Sequence, residues 1–281
     1  MRENKLRRIL NEGGTSVSTR LWSTWPVYTE VLGVSGNFDY MEFVAEYAPF
    51  SQADLENMAR AAELYDMGSM IKVDFQNRGY VAQKAVASGF QAVNFADHST
   101  PEEVEESIRM LRPYVTGTEG RYGCPNRRFI GRPEGRYGCP NRRFIGRPEG
   151  VTQLEHIQRL REIVLCFMIE KQEAVDRIEE ICSVPGIDMV QFGPSDYCMS
   201  RGWNRAGHEE DYKAAERKVI RTALEHGIQP RCEIGSPEEA RYYMDLGVRH
   251  FSLGDQMTVL KSFWNREGAR MREMAGQLDR S

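Results

Sequence analysis

A (β/α)8 TIM barrel is the fold class this sequence predicts, and three observations predict it. Short apolar runs alternate with amphipathic helical stretches along most of the 281 residues, the mark of βαβ units. The runs number eight, the count that closes a parallel barrel. Many of the intervening helices begin on readable capping chemistry, as below. An open doubly wound sheet is the alternative weighed, but no Gly-rich phosphate turn follows the first run. The expected organisation is one barrel domain over 1–281. It is interrupted by an Arg/Gly-rich loop at 121–150 and ends in a C-terminal helix at about 258–277.

The strands are expected at 17–21, 38–44, 70–73, 92–95, 164–169, 189–192, 229–232 and 250–253. Ser51-Gln-Ala-Asp54 opens the helix after the second strand. Thr100-Pro-Glu-Glu103 opens the one after the fourth, with a capping hydroxyl, Pro in the first turn and Glu closing a capping box. Ser236-Pro-Glu-Glu239 has the same form. A helix over 171–183 places Ala174, Val175, Ile178, Ile181 and Cys182 on one face.

Composition agrees with a globular enzyme-sized chain. With 41% hydrophobic and 28% charged residues it is neither collagen-like, low-complexity nor a disulfide mini-protein. The longest apolar run, 163–169, falls far short of the ~18 residues of a membrane span, so no membrane partner is expected. Met1-Arg-Glu-Asn-Lys-Leu-Arg-Arg8 does not read as a secretory leader. The six cysteines form no CxxC pair and no zinc spacing. The expectation is a reduced, cytoplasmic protein whose thiols are mostly buried filler.

Residues 121–150 are unlike the rest. The fifteen residues Arg121-Tyr-Gly-Cys-Pro-Asn-Arg-Arg-Phe-Ile-Gly-Arg-Pro-Glu-Gly135 recur unchanged as 136–150, carrying eight arginines against two glutamates in a chain of net charge −4. Two copies are too few for a solenoid, and Gly, Pro and Asn mark the unit as loop. One basic loop on an acidic chain points to an anionic small molecule rather than to nucleic acid.

In a barrel, chemistry sits at the C-terminal ends of the strands. That brings forward Glu46 and Tyr47, Lys72 and Asp74, Asp97 and His98, Glu170, and Asp196. Glu170 ends the apolar fifth strand and Asp196 follows Gly193-Pro-Ser195 on the next. Two carboxylates at neighbouring strand ends suit a hard divalent cation, with water and substrate oxygens completing its shell. The competing reading is that each carboxylate caps the helix after it.

Met168-Ile-Glu-Lys-Gln-Glu-Ala-Val175 and Gly186-Ile-Asp-Met-Val-Gln-Phe-Gly-Pro-Ser-Asp196 together resemble the HpcH/HpaI aldolase/citrate lyase family, whose pattern is an apolar strand ending in Glu, then GxD and GPxD. Leu21-Trp-Ser-Thr-Trp25, 38–46 and Phe251-Ser-Leu-Gly254 resemble the family's first, second and last strands. The resemblance implies a metal-dependent class II aldolase. Glu170 and Asp196 would hold Mg²⁺, Mn²⁺ or Co²⁺, and the metal would stabilise the enolate of pyruvate or a similar 2-oxo acid. It implies that backbone amides of Ser195 and Asp196 receive the substrate carboxylate in a turn shaped by Gly193 and Pro194, with Trp22 at the first strand end. It also implies a homo-oligomer, trimer or hexamer, packed through the terminal helix. Gly120-Arg-Tyr-Gly123 resembles a family turn that would bring Arg121, or its copy Arg136, to an acidic substrate.

Three family positions differ. The His general base after the second strand is Tyr47, following a retained Glu46. The Asp that pairs with that His aligns with Ala87. The Arg at the end of the third strand is Lys72, which keeps the charge without the bidentate fork. A phenol is a poor base at neutral pH, so His98, beside Asp97, and Glu46 are the candidates to replace it. The remaining histidines, 156, 208, 226 and 250, fall mainly in expected helices or on the last strand. The leading expectation is a carbon–carbon lyase acting through an enolate. Beside it stand a condensing, decarboxylating or other lyase on the same platform, and a barrel that binds ligand without catalysis.

Overall fold

The computed structural model describes residues 3–113, 120, 121, 152, 154 and 158–278. The repeat apart from Arg121, and His156, lie outside the described residues. The described chain closes a barrel of eight parallel strands in sequence order, each pairing with the next and the last with the first. They are β1 Ser16–Leu21, β2 Tyr40–Val44, β3 Gly68–Val73, β4 Ala92–Phe95, β5 Val164–Ile169, β6 Met189–Phe192, β7 Gln229–Ile234 and β8 His250–Asp255. All eight expected strands are present. The second begins at Tyr40 rather than at 38; the Asp39 backbone still bonds the Val17 carbonyl and the Gly68 N–H, and its side chain accepts from the Val17 N–H.

The helices are α1 Lys5–Asn11, α2 Pro26–Val34, α3 Gln52–Leu64, α4 Arg78–Ser88, α5 Pro101–Leu111, α6 Gln172–Asp176, α7 Ile178–Cys182, α8 Pro194–Ser200, α9 Glu209–Glu225, α10 Ala240–Asp245 and α11 Gln256–Leu278. Both capping boxes form, Ser51 with Asp54 and Thr100 with Glu103. The third cap does not. Pro237–Glu239 is a short 3₁₀ turn with no hydroxyl cap, and Glu239 instead accepts from the Gly235 N–H at 3.1 Å. The helix expected over 171–183 is two short helices, because Arg177 departs from helical geometry (φ −100°, ψ 21°). The i→i−4 bonds from Arg177 to Glu173 and from Ile181 to Arg177 still form, so the expected apolar face stays buried.

The strands are buried on both faces, as parallel strands between a barrel interior and a helical shell must be. Outward side chains such as Phe43, Ile71, Phe95, Phe167 and Val190 join the main core under the helices. Inward Tyr40, Met70, Ala92, Val164, Cys166 and Met189 form a smaller cluster with Leu6 of α1. α1 thereby plugs the N-terminal end of the barrel. Asn4 fastens it by accepting from the Arg7 N–H and donating to the Gln91 and Glu162 carbonyls, and Arg7 grips Asp188 through two 2.7 Å bonds. The opposite end is the mouth. Cys166, Cys182, Cys198 and Cys232 are free and buried, as expected for filler. Among the described residues, no helix is long and apolar enough to cross a membrane.

Candidate active site at the C-terminal mouth of the barrel

Above the apolar plug the barrel interior turns ionic. Glu42 of β2 and Arg231 of β7 are fully buried and meet at 2.5 Å. Asn94 of β4 donates to the other oxygen of Glu42 at 2.9 Å. Arg231 also donates to the Tyr40 hydroxyl, to Ser18 and to Gln191. Gln191 passes the chain to Glu233 at 2.6 Å, and Glu233 pairs with Arg20 at 2.5 Å. Burial works to raise the Glu42 carboxyl, but Arg231, the Asn94 hydrogen bond and Arg20 together outweigh it and hold Glu42 below the usual carboxylate range. Sequence reading missed this network. Its signal was present: Glu42 interrupts the apolar run of β2, and Arg231 stands mid-strand in β7.

The mouth carries most of the expected residues. Glu170 closes β5 and is 1% exposed. Its Oε1 accepts the Asp97 N–H at 2.9 Å, while Oε2 is buried with no partner. Glu170 therefore does not cap the helix that follows; Lys171 holds that position and makes no side-chain cap. Burial, countered by Lys72 and the Asp97 N–H and reinforced by Asp196 and Asp97, pushes the Glu170 carboxyl up to about 7. Gly193 is required beside it, since a Cβ there would stand 2.7 Å from both the Glu170 Cβ and its Oε2.

Lys72 ends β3 with its ammonium 2.6 Å from Glu46. Burial alone would lower it, but Glu170 and Glu46 dominate and hold it above the ordinary lysine range. A lysine kept protonated is an electrostatic group and not a Schiff-base nucleophile. Tyr47 is mostly exposed. Its ring stacks on Trp22 (centroids 5.9 Å apart, planes 13°) and lies 5.6 Å from the Lys72 ammonium. Partial desolvation and the Glu46 carboxylate push the phenol above its usual range, so it stays protonated at neutral pH. The indole Nε1 of Trp22 is buried with no partner. Asp196 lies in the first turn of α8, behind Gly193, Pro194 and Ser195, and its charge is felt by Glu170, Lys171 and Tyr47.

Three expected residues are not brought to this cluster. His98 is fully buried among Phe75, Phe95 and Phe167, on the outer side of the barrel wall. Its Nδ1 bonds the Ala96 carbonyl at 2.8 Å and its Nε2 meets the Ser107 hydroxyl at 2.7 Å. Burial lowers it to about 4, so it is a neutral core histidine with both nitrogens engaged. Arg121 is exposed beside α5, its backbone bonded to the Arg109 carbonyl and its guanidinium 3.9 Å from Glu106. Asp74 accepts from Asn77 in the turn before α4. Asp97, brought forward with His98 as a residue after the fourth strand, is the one of the pair that meets the cluster.

The family model described as HpcH/HpaI aldolase/citrate lyase matches residues 49–247. A hydroxypyruvate/pyruvate aldolase of Delftia acidovorans is 25% identical over 243 residues, 84% of this chain and 80% of that protein. Among solved structures, citrate synthase SbnG superposes with a TM-score of 0.80 at 20% identity, covering 98% of this chain and 100% of its own. Macrophomate synthase superposes at 0.81 and 18% identity, covering 98% and 91%. The two structures share the fold; the family model spans most of the barrel, including β5, β6 and Glu170 and Asp196 at their ends, and begins after Trp22, Glu46 and Tyr47. The chain belongs to the HpcH/HpaI aldolase/citrate lyase family.

Proposed function

We propose that this protein is a divalent-metal-dependent carbon–carbon lyase of aldolase type, acting on a 2-oxo acid. The single observation that carries the metal part is Glu170, a carboxylate pushed into the wall of the mouth with one oxygen left unpartnered. Such an oxygen is costly to bury, and a cation offsets the cost. Among the described residues no group of three or more His, Cys, Asp or Glu side chains is poised for a metal. The fit is therefore to the two carboxylates of Glu170 and Asp196, an all-oxygen set suited to Mg²⁺, Mn²⁺ or Co²⁺. When bound, the ion supplies Lewis-acid withdrawal of electrons from the substrate's keto oxygen.

The chain's own residues take up the remaining work. Lys72, held charged, offsets negative charge developing on that oxygen during cleavage. Glu46 fixes the ammonium through its 2.6 Å contact. Backbone amides of Ser195 and Asp196, at a helix start where N–H groups lack intrahelical acceptors, receive the substrate carboxylate. Trp22 and Tyr47 wall the acceptor side. Cleavage takes the proton off the substrate's 4-hydroxyl, for which Glu46 is the carboxylate at hand, and returns one to the enolate carbon, for which the Tyr47 hydroxyl is the donor. A second reading, condensation or decarboxylation on the same platform, is favoured by Tyr47, which cannot take a proton as a histidine would. The apolar residues of α11, with Phe263, Trp264, Met271 and Met274 more than half exposed, support a homo-oligomer.

The test is pyruvate release from a 4-hydroxy-2-oxo acid. Activity is expected with Mn²⁺, lost on chelation, restored by added ion and abolished in Glu170→Gln. Full activity in the chelated enzyme or in Glu170→Gln would sink the metal reading. Oxaloacetate decarboxylation without aldol cleavage would favour the second reading.

A further inference from the structure

Beyond β4 the chain turns over the barrel rim at Asp97, whose φ is +62°. Few side chains other than Asn and Asp adopt this left-handed region. The turn has two consequences at one place. It aims the Asp97 N–H at Glu170 Oε1, 2.9 Å away, and it sets the Asp97 carboxylate 2.6 Å from the Lys171 ammonium. Glu170 and Lys171 are consecutive, so one residue of the β4 turn clasps the end of β5 through both its backbone and its side chain. On the other side Gly193 lies so close that a Cβ would stand 2.7 Å from Glu170 Oε2. Held between them, the carboxylate has distinct oxygens: Oε1 engaged, and Oε2 buried and unpartnered.

We propose that Asp97 is a positioning residue for Glu170: its left-handed backbone places the N–H that engages Oε1, and so reserves Oε2 for the cation. The proposal rests on the reading of Glu170 as a metal ligand. It assigns the effect to the Asp97 backbone first and to its pair with Lys171 second. A group that orients a metal ligand typically changes metal affinity about 10–100-fold.

Mn²⁺ binding to the full-length protein, measured by calorimetry, separates the contributions. Asp97→Asn and Asp97→Gly tolerate a positive φ and are expected to bind Mn²⁺ within about threefold of wild type. Asp97→Val, β-branched and strained there, is expected to bind roughly tenfold or more weakly while unfolding cooperatively. Asp97→Ala, a milder strain, serves the same comparison should the valine variant not fold. Wild-type affinity in the strained variant, or an equal loss in the Gly and strained variants, would overturn the proposal. Amide hydrogen exchange on the metal-free protein gives a second readout. The Asp97 N–H is expected to be protected in wild type and exposed in Glu170→Ala; rapid exchange in wild type would also overturn it. If wild type takes up no Mn²⁺ while the amide is protected, the metal reading fails and Asp97's assigned purpose with it, leaving the clasp itself intact.

Discussion

Glu42 and Arg231 place an unscreened charge pair at the centre of a barrel that apolar side chains normally fill. Each is held by more than its partner, Glu42 by Asn94 and Arg231 by Tyr40, Ser18 and Gln191. Removing one charge strands the other in a dry interior. Arg231→Met is therefore expected to lower unfolding free energy by about 3–5 kcal/mol, read from denaturant midpoints at constant m-value. The double variant Glu42→Leu with Arg231→Met should recover most of that loss, since a shape-matched apolar pair is often neutral or better. A double variant as unstable as the single one would mean that the pair is net stabilising in its own right. At this scale Lys72 and Tyr47 also find their roles. Lys72 stays charged because carboxylates surround it, and Tyr47 keeps its proton through partial desolvation reinforced by Glu46 beside it.

At the scale of elements, helix starts decide where strand ends deliver their residues. α5 is set by Thr100 and Glu103, whose box satisfies two N–H groups of the first turn. The Glu103 carboxylate also accepts the Ser99 N–H at 2.8 Å, which fixes the short link back to Asp97. Thr100→Ala is expected to cost roughly 1 kcal/mol of stability; no change in the thermal midpoint would show that the box is redundant with packing. α6 and α7 show the reverse balance. The periodicity of 171–183 reads as one helix, and its apolar face is buried as one face, yet Arg177 breaks it. Burial of that face tolerates a local kink because the side chains it needs stay on the same side.

For the whole molecule, acid sensitivity follows from two histidines that the fold keeps neutral. His98 and His250 are each lowered to about 4, chiefly by burial. In the unfolded chain they titrate near ~6.5. Between those values the unfolded state binds the extra protons, so this stability is complete above about pH 6.5 and is lost as the pH falls toward 4. The full effect is on the order of 3 kcal/mol for each histidine. Glu170 runs the other way. Raised to about 7, it favours the folded metal-free state as pH falls from 7 toward its unfolded value. His98→Gln isolates the histidine contribution: the stability lost by wild type between pH 7 and 5 should shrink in this variant. An unchanged pH slope would show that His98 is charged in the native state.

The sequence by itself determined the barrel, because eight strand-length apolar runs alternating with amphipathic stretches have few other ways to bury both faces. It also pointed to Glu170 and Asp196, since strand ends are countable and a carboxylate closing an apolar run is conspicuous. Only the tertiary structure decided which neighbours share the mouth. His98 and Asp97 are adjacent in sequence, yet the turn at Asp97 sends one to the outer core and the other to Glu170. Arg121 reads as a substrate residue from its motif and lies against α5 instead. Glu42 and Arg231, 189 residues apart, pair only because barrel closure faces β2 and β7 across one interior. Local patterns specify periodicity and caps; long-range closure specifies which charges meet, and burial then sets their protonation.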